Sequence, residues 1–264
     1  MLFSPSCARN KAPIADALTE RVARWTRARL AKGESPRVDV LELACGTGEH
    51  ASHVARALAA QTPPHLGSWQ PTDKELSVEA AASVRAWSEN EGVGSLIKDA
   101  KALNCMDDAW EEEYAGTTSH LYVSNMTHIS EWAATVGLLR GAGRILTATE
   151  GTKGCIFIYG ASPPSARARD PRRRPRARPE AARARERPLT QRAARCTGPF
   201  RADGKQTAPS NEEFDLSLRQ RNAEWGIRCR DTEIKPEALR HGLRLVEWVQ
   251  MPANNMLLVL EPDV

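Results

Sequence analysis

Val38-Asp-Val-Leu-Glu-Leu-Ala-Cys-Gly-Thr-Gly-Glu-His50 decides how this 264-residue chain is read. The apolar run Val38, Val40, Leu41 and Leu43 stops at a Gly-Thr-Gly turn, and apolar positions then recur at helical spacing over 49–60. That pattern predicts strand, tight turn, helix. Gly46 and Gly48 suit the turn because a residue without Cβ takes positive φ and lets a ligand approach the backbone. The helix that follows aims its unpaired N–H groups and the positive end of its dipole at whatever lies over the turn.

Two cofactor classes use such a turn. A dinucleotide fold takes G-x-G-x-x-G around a pyrophosphate, whereas here the third glycine is missing and the first position is Ala44. Glu42 would also repel a pyrophosphate. An acidic strand end followed by G-x-G suits S-adenosylmethionine, which carries an ammonium, a carboxylate and a positive sulfonium. Glu42, Ala44, Gly46, Thr47 and Gly48 are therefore read as donor-binding residues. The competing reading is a turn that only packs helix on strand.

Outward from this stretch, strand and helix alternate. A helix is expected over 10–30, a second strand over 68–72 closing on Asp73, a helix over 75–89, and a weak third strand over 95–98 ending at Asp99. Next come a short helix over 106–114, a fourth strand over 120–124, a helix over 131–146 and a fifth strand over 155–159. Helices over 211–221 and 235–241 precede an antiparallel strand pair over 243–249 and 256–260. This predicts an α/β fold: a mostly parallel sheet covered on both faces, with ligand at the strand C-terminal ends. Asp73, 25 residues beyond Gly48, stands where a doubly wound sheet places an acid for ribose hydroxyls. Capping the next helix is its alternative role.

Composition narrows the classes. The net charge of +4 conceals a tract, 162–197, with twelve arginines, three acids, six prolines and one leucine. Its excess of nine positive charges, taken from the total, leaves −5 for the rest. Such a segment buries no apolar surface, so a disordered insertion at 161–197 is expected within one domain spanning 1–264. Nucleic-acid binding through those arginines is an alternative that lacks interleaved aromatics for base stacking. Six cysteines without a C-x-x-C pair point to reduced thiols, and no zinc site is expected. His50 and His53 share a helix face but have no third ligand at metal spacing. No signal peptide or transmembrane-length run is evident, so a cytoplasmic protein without a membrane partner is expected.

Candidate chemistry gathers at the strand ends. His128 follows the fourth strand and is competent as a general base, Asn125 at the strand tip would orient an acceptor, and Tyr159 ends the fifth strand. Helix capping and core packing are the competing roles. Arg9 and Asn10 would fold over the donor, and Asn211, Asn222, Asn254 and Asn255 would position loops.

The chain resembles the methyltransferase-like protein twenty-six group of class I S-adenosylmethionine-dependent methyltransferases over nearly its whole length apart from the arginine tract. The resemblance rests on Ala-Arg-Asn-Lys at 8–11, the stretch at 41–50, Trp-Gln-Pro-Thr-Asp at 69–73 and Asn-Met-Thr-His-Ile-Ser at 125–130. Pro-Ser-Asn-Glu-Glu-Phe-Asp at 209–215, Arg-Asn-Ala-Glu-Trp-Gly at 221–226 and Met-Pro-Ala-Asn-Asn at 251–255 add to it. It implies a seven-stranded Rossmann-like fold, the donor over 46–48, ribose on Asp73, adenine near Asp99 and an unidentified methyl acceptor. Ala8 and Glu49 depart from the group, which has an acid and a glutamine there. A catalytically silent donor-binding module is the alternative function.

Overall fold

A computed structural model describes residues 1–62, 66–160 and 200–263. Thirteen regular elements follow in order among them. They are α1 (Pro5–Ala31), β1 (Val38–Leu43), α2 (Glu49–Ala59), β2 (Leu66–Asp73), α3 (Val78–Asn90), β3 (Lys101–Ala102) and β4 (His120–Ser124). After these come α4 (Trp132–Ala148), β5 (Ile156–Gly160), α5 (Pro209–Arg221), α6 (Lys235–Arg240), β6 (Leu243–Met251) and β7 (Asn255–Pro262). The seven strands form one sheet in the order β3-β2-β1-β4-β5-β7-β6. All neighbours from β3 to β5 are parallel, and β7 runs antiparallel to both β5 and β6.

The alternation of side chains along each strand explains why both faces are covered. Val38, Val40, Tyr122, Phe157, Tyr159, Leu257 and Val259 share one core with Ile14, Leu18 and Val22 of α1 and with Val54 of α2. Their strand neighbours Leu41, Leu43, Leu121, Val123, Ile156, Ile158 and Leu258 enter a second core with Leu138, Leu139 and Ile145 of α4. A strand buried on both faces reads as a nearly continuous apolar run, as β1, β4 and β5 do. The sheet reverses its order between β1 and β4, which opens a crevice at their C-terminal ends.

Three expectations need correction. The first helix begins at Pro5 rather than at residue 10, with the Ser4 hydroxyl accepting from the Cys7 N–H at 3.5 Å and Pro5 in the first turn. The third strand is not 95–98: Ile97 makes a single bridge to Trp69, and the paired residues are Lys101 and Ala102 against Thr72 and Asp73. The helix expected over 106–114 is a succession of turns, because Ala109 adopts φ 58°, which reverses the helical path. The insertion expected at 161–197 lies outside the described residues. Among those residues, no helix is long and apolar enough to cross a membrane.

Gly48 shows what the packing demands. It has φ +80°, and a Cβ there would stand 2.7 Å from the Val84 Cα of α3, whereas a Cβ on Gly46, at φ +54°, would meet nothing within 4 Å. Gly48→Ala is expected to cost about 2 kcal/mol or more in urea denaturation, from conformational strain and close approach together. Gly46→Ala should cost about 1 kcal/mol from strain alone. Equal losses would contradict this account of α2 against α3.

Candidate functional site

The β1–α2 turn is held from below by β2 and from the side by α3. The Cys45 N–H donates to the Thr72 carbonyl at 2.9 Å, and the Ser83 hydroxyl donates to the Thr47 carbonyl at 2.8 Å. The Gly46 N–H donates to Asp73 Oδ2 at 3.0 Å, so the acid at the end of β2 reaches the centre of the turn. The other oxygen, Oδ1, accepts from the Glu75 N–H at 3.3 Å. Asp73 is not the cap of α3: Ser77 is, accepting from the Ala80 N–H at 3.1 Å. Ala44 joins Gly46 and Gly48 at positive φ, 57°, a conformation that costs a residue with Cβ about 1 kcal/mol or more.

Above this turn lies a cleft of about 800 Å³, a volume typical of small-molecule sites. Ala44, Gly46, Thr47, Asp73 and Asn125 line it, bringing together five of the residues read from sequence. Asn125 stands at the tip of β4 with φ 63°, and its N–H donates to the Tyr159 carbonyl at 2.8 Å.

The other donor-binding and catalytic candidates lie elsewhere. Glu42 is sealed beneath the turn, accepting from Trp69 Nε1 at 2.9 Å, and does not line the cleft. Burial pushes its carboxyl up to about 8, with the Asp73 charge adding to the rise and the Trp69 bond opposing it. A group that is mostly neutral at pH 7 repels no pyrophosphate; Asp73 supplies the negative charge. Gly48 packs on Val84, as noted. Asp99 is 82% exposed in its side chain, sits 3.5 Å from Arg85 and is outside the cleft lining. Its place is taken by Asn104, which follows the true β3 and lines the cleft, with Nδ2 donating to Asp107 at 2.7 Å.

His128 and Tyr159 are each 1% exposed, and neither lines the cleft. The His128 ring packs on Gly160 and edge-on to Phe200, 5.2 Å between centroids. Burial first, then the Arg228 charge, lowers its pKa to about 3, so the ring is neutral. Tyr159 Oη accepts from Asn255 Nδ2 at 2.7 Å, and burial pushes the phenol up. Asn255 Nδ2 also lies 3.4 Å from Asn10 Oδ1, so Asn10, Asn255 and Tyr159 form a buried tie between α1, β7 and β5. Arg9 is exposed and outside the lining. Asn211 bonds Thr207 at 2.8 Å, and Asn254 bonds Ser210 at 3.3 Å. Asn222 does line the cleft.

Sequence reading missed two walls. Ser4, Ser6 and Cys7 at the start of α1 cover the turn, three to six residues before the helix was expected to begin. Beside Cys7 is His50, whose Nδ1 is 3.9 Å from the Cys7 sulfur; burial, then His53 and Lys11, lower its pKa to about 4. The opposite wall is Trp225 and Glu224, reached only after α5. Arg228 ties that wall to the segment after β4 through the Thr127, Ser130 and Glu224 carbonyls at 3.0, 2.7 and 3.0 Å.

The family model described as "Protein of unknown function (DUF938)" matches residues 1–167 and 181–261. Solved structures similar to this chain include the mitomycin 7-O-methyltransferase MmcR, with TM-score 0.53 and 13% identity, over 86% of this chain and 50% of that one. A putative O-methyltransferase from Nostoc punctiforme PCC 73102 gives TM-score 0.54 and 13% identity over 94% and 58%. PigF with SAH gives 0.52 and 13% over 86% and 57%. The chain therefore spans between half and three fifths of the length of these proteins. At such identities the likeness establishes the Rossmann-like methyltransferase fold.

Glu42 generates a pH prediction. Its folded pKa is raised, so between the unfolded value near 4.5 and about 8 the folded state binds the extra proton. Stability from this group is therefore lost as pH rises through that window, by a few kcal/mol as an order of magnitude. Glu42→Gln should flatten this slope in denaturation curves taken from pH 5 to 9. The buried histidines give the opposite slope below pH 6.5 in both proteins. An unchanged slope in the variant would mean Glu42 is ionised in the fold.

Proposed function

The chain belongs to the family described as protein of unknown function DUF938, and from its cleft we propose that it is an S-adenosylmethionine-dependent methyltransferase acting on an acceptor yet to be identified. The observation that carries this is the Asp73 carboxylate bonded to the Gly46 N–H at 3.0 Å under open space. One acid thereby shapes the glycine turn and, half-buried at the cleft lining, faces the space a diol would take. The quoted sequence motifs further support assignment to the methyltransferase-like protein twenty-six group, with 1–264 as one domain and 161–197 as an insertion.

In this reading the turn at 44–47 holds the aminoacyl end, Asp73 accepts from the ribose hydroxyls, and Asn104 with Met106 receives the adenine. The bound donor supplies an electrophilic methyl on a positive sulfur. Direct displacement needs alignment and exclusion of water more than it needs a base. Ser124 and Asn125 stand at the β4 tip to align an acceptor, and the start of α1 screens the turn from water. PigF, of the same fold, holds SAH, which supports this choice of donor. His128, buried behind the tip, acts as packing: His128→Ala should lower stability and leave single-turnover rate per folded molecule within about threefold, not the roughly 10²-fold of a lost base.

Donor binding is tested by thermal shift. A ligand at one hundred times its Kd should add about 2.7 kcal/mol to the native state. S-adenosylmethionine or its demethylated product is expected to raise Tm, and Asp73→Ala to weaken affinity about tenfold or more through lost charge-assisted hydrogen bonds. Asn104→Ala should weaken it less, and Asp99→Ala should leave it unchanged. Deletion of 161–197 should preserve the shift. A rise with NAD and none with the methyl donor would overturn the reading.

A further inference from the structure

Resting on the methyltransferase reading, we infer that the acceptor is a small apolar amine, held against Trp225 and attracted by Glu131 and Glu224. The wall facing the donor turn is built from two segments locked together by Arg228, one after β4 and one after α5. Its apolar surface is Met126, Ile129 and Trp225, and its charges are the exposed carboxylates of Glu131 and Glu224. Among the described lining residues, Lys74 is the single cation, and it lies between Asp73 and Glu75 on the donor side.

The guanidinium groups nearest this wall are already committed. Arg228 is buried and spends its donors on three carbonyls, while Arg221 stands 5.1 Å from the Trp225 ring centroid. The N-terminus of α4 would ordinarily attract an anion, but its cap position is Glu131. A phosphate or carboxylate acceptor thus meets two carboxylates and, among the described residues lining this wall, no cation. An ammonium meets carboxylates for charge-assisted hydrogen bonds and an indole for cation–π attraction.

The chemistry fits as well. The bound ammonium first loses one proton to water or to a wall carboxylate. The nitrogen lone pair then forms the N–C bond to the methyl while the C–S bond breaks, its electron pair leaving on sulfur as a neutral thioether. The methylated ammonium is shed as product. A neutral alcohol or phenol gains no such attraction from the wall carboxylates, so charge separates it from the amine.

The test uses the full chain saturated with S-adenosylhomocysteine, whose binding is first measured by calorimetry. Matched aromatic fragments bearing an amine, a hydroxyl, a carboxylate or a phosphate monoester are then compared by ligand-observed NMR. Amines are expected to bind about tenfold or more tighter than the other members. The double variant Glu131→Gln/Glu224→Gln should erase that preference with S-adenosylhomocysteine affinity unchanged, and Trp225→Ala should weaken amines most. The chain lacking 161–197 should keep the preference. Anions that bind as well as amines in either chain, or no amine binding at all, would overturn the inference. A chain that binds no S-adenosylhomocysteine fails the methyltransferase reading itself.

Discussion

One hydrogen bond, from the Gly46 N–H to the Asp73 carboxylate, ties the turn after β1 to the end of β2, and the site depends on it. β1 and β2 are parallel neighbours, so their C-terminal ends arrive side by side. The bond converts that adjacency into a defined turn with an acid at its centre. Everything else near the turn supports it: Thr72 receives Cys45, Ser83 holds Thr47, and Gly48 lets α3 press against the start of α2. Beneath it, Glu42 is sealed from the cleft, and burial pushes its carboxyl up to about 8, so Asp73 is the strand-end acid that faces the cleft.

The second constraint is the buried Asn10–Asn255–Tyr159 tie. Tyr159 and the asparagines look like pocket residues in the sequence, but in the structure they hold α1 to the sheet. Because α1 is anchored there, its first turn lies across the β1–α2 turn, and Ser4, Ser6 and Cys7 become part of the cleft. Arg228 does the same on the far side by fastening the chain after α5 to the turn after β4. The cleft is thus a parallel-sheet crevice closed by two segments that are remote in sequence.

What was legible follows from which physical signals are local. β4, expected at 120–124, is His120–Ser124, since an apolar run buried on both faces leaves its mark in composition. The glycine turn and Asp73 were legible for the same reason: they need particular residue types at fixed separation. β3 was not, because Lys101 and Ala102 are exposed and owe their strand geometry to backbone pairing with β2. Asp99, named for adenine by the resemblance, lies outside the cleft, whereas Asn104 after β3 lines it. His128 was misread because the sequence places it after a strand tip but does not tell which way its ring turns. Trp225 and Glu224 carried no motif of their own beyond a family marker; Arg228 and the Gly226 N–H, bonded to the His128 carbonyl at 3.0 Å, bring them to the site.

The central claim is that a methyl donor lies over the turn that Asp73 shapes. Amide NMR of the full chain, titrated with S-adenosylhomocysteine, tests this most directly. The account predicts saturable shifts concentrated at Gly46, Thr47, Asp73 and Asn104, with Asp99 and Arg85 unmoved. Shifts that leave the Gly46 amide untouched, or that centre on Asp99, would contradict it.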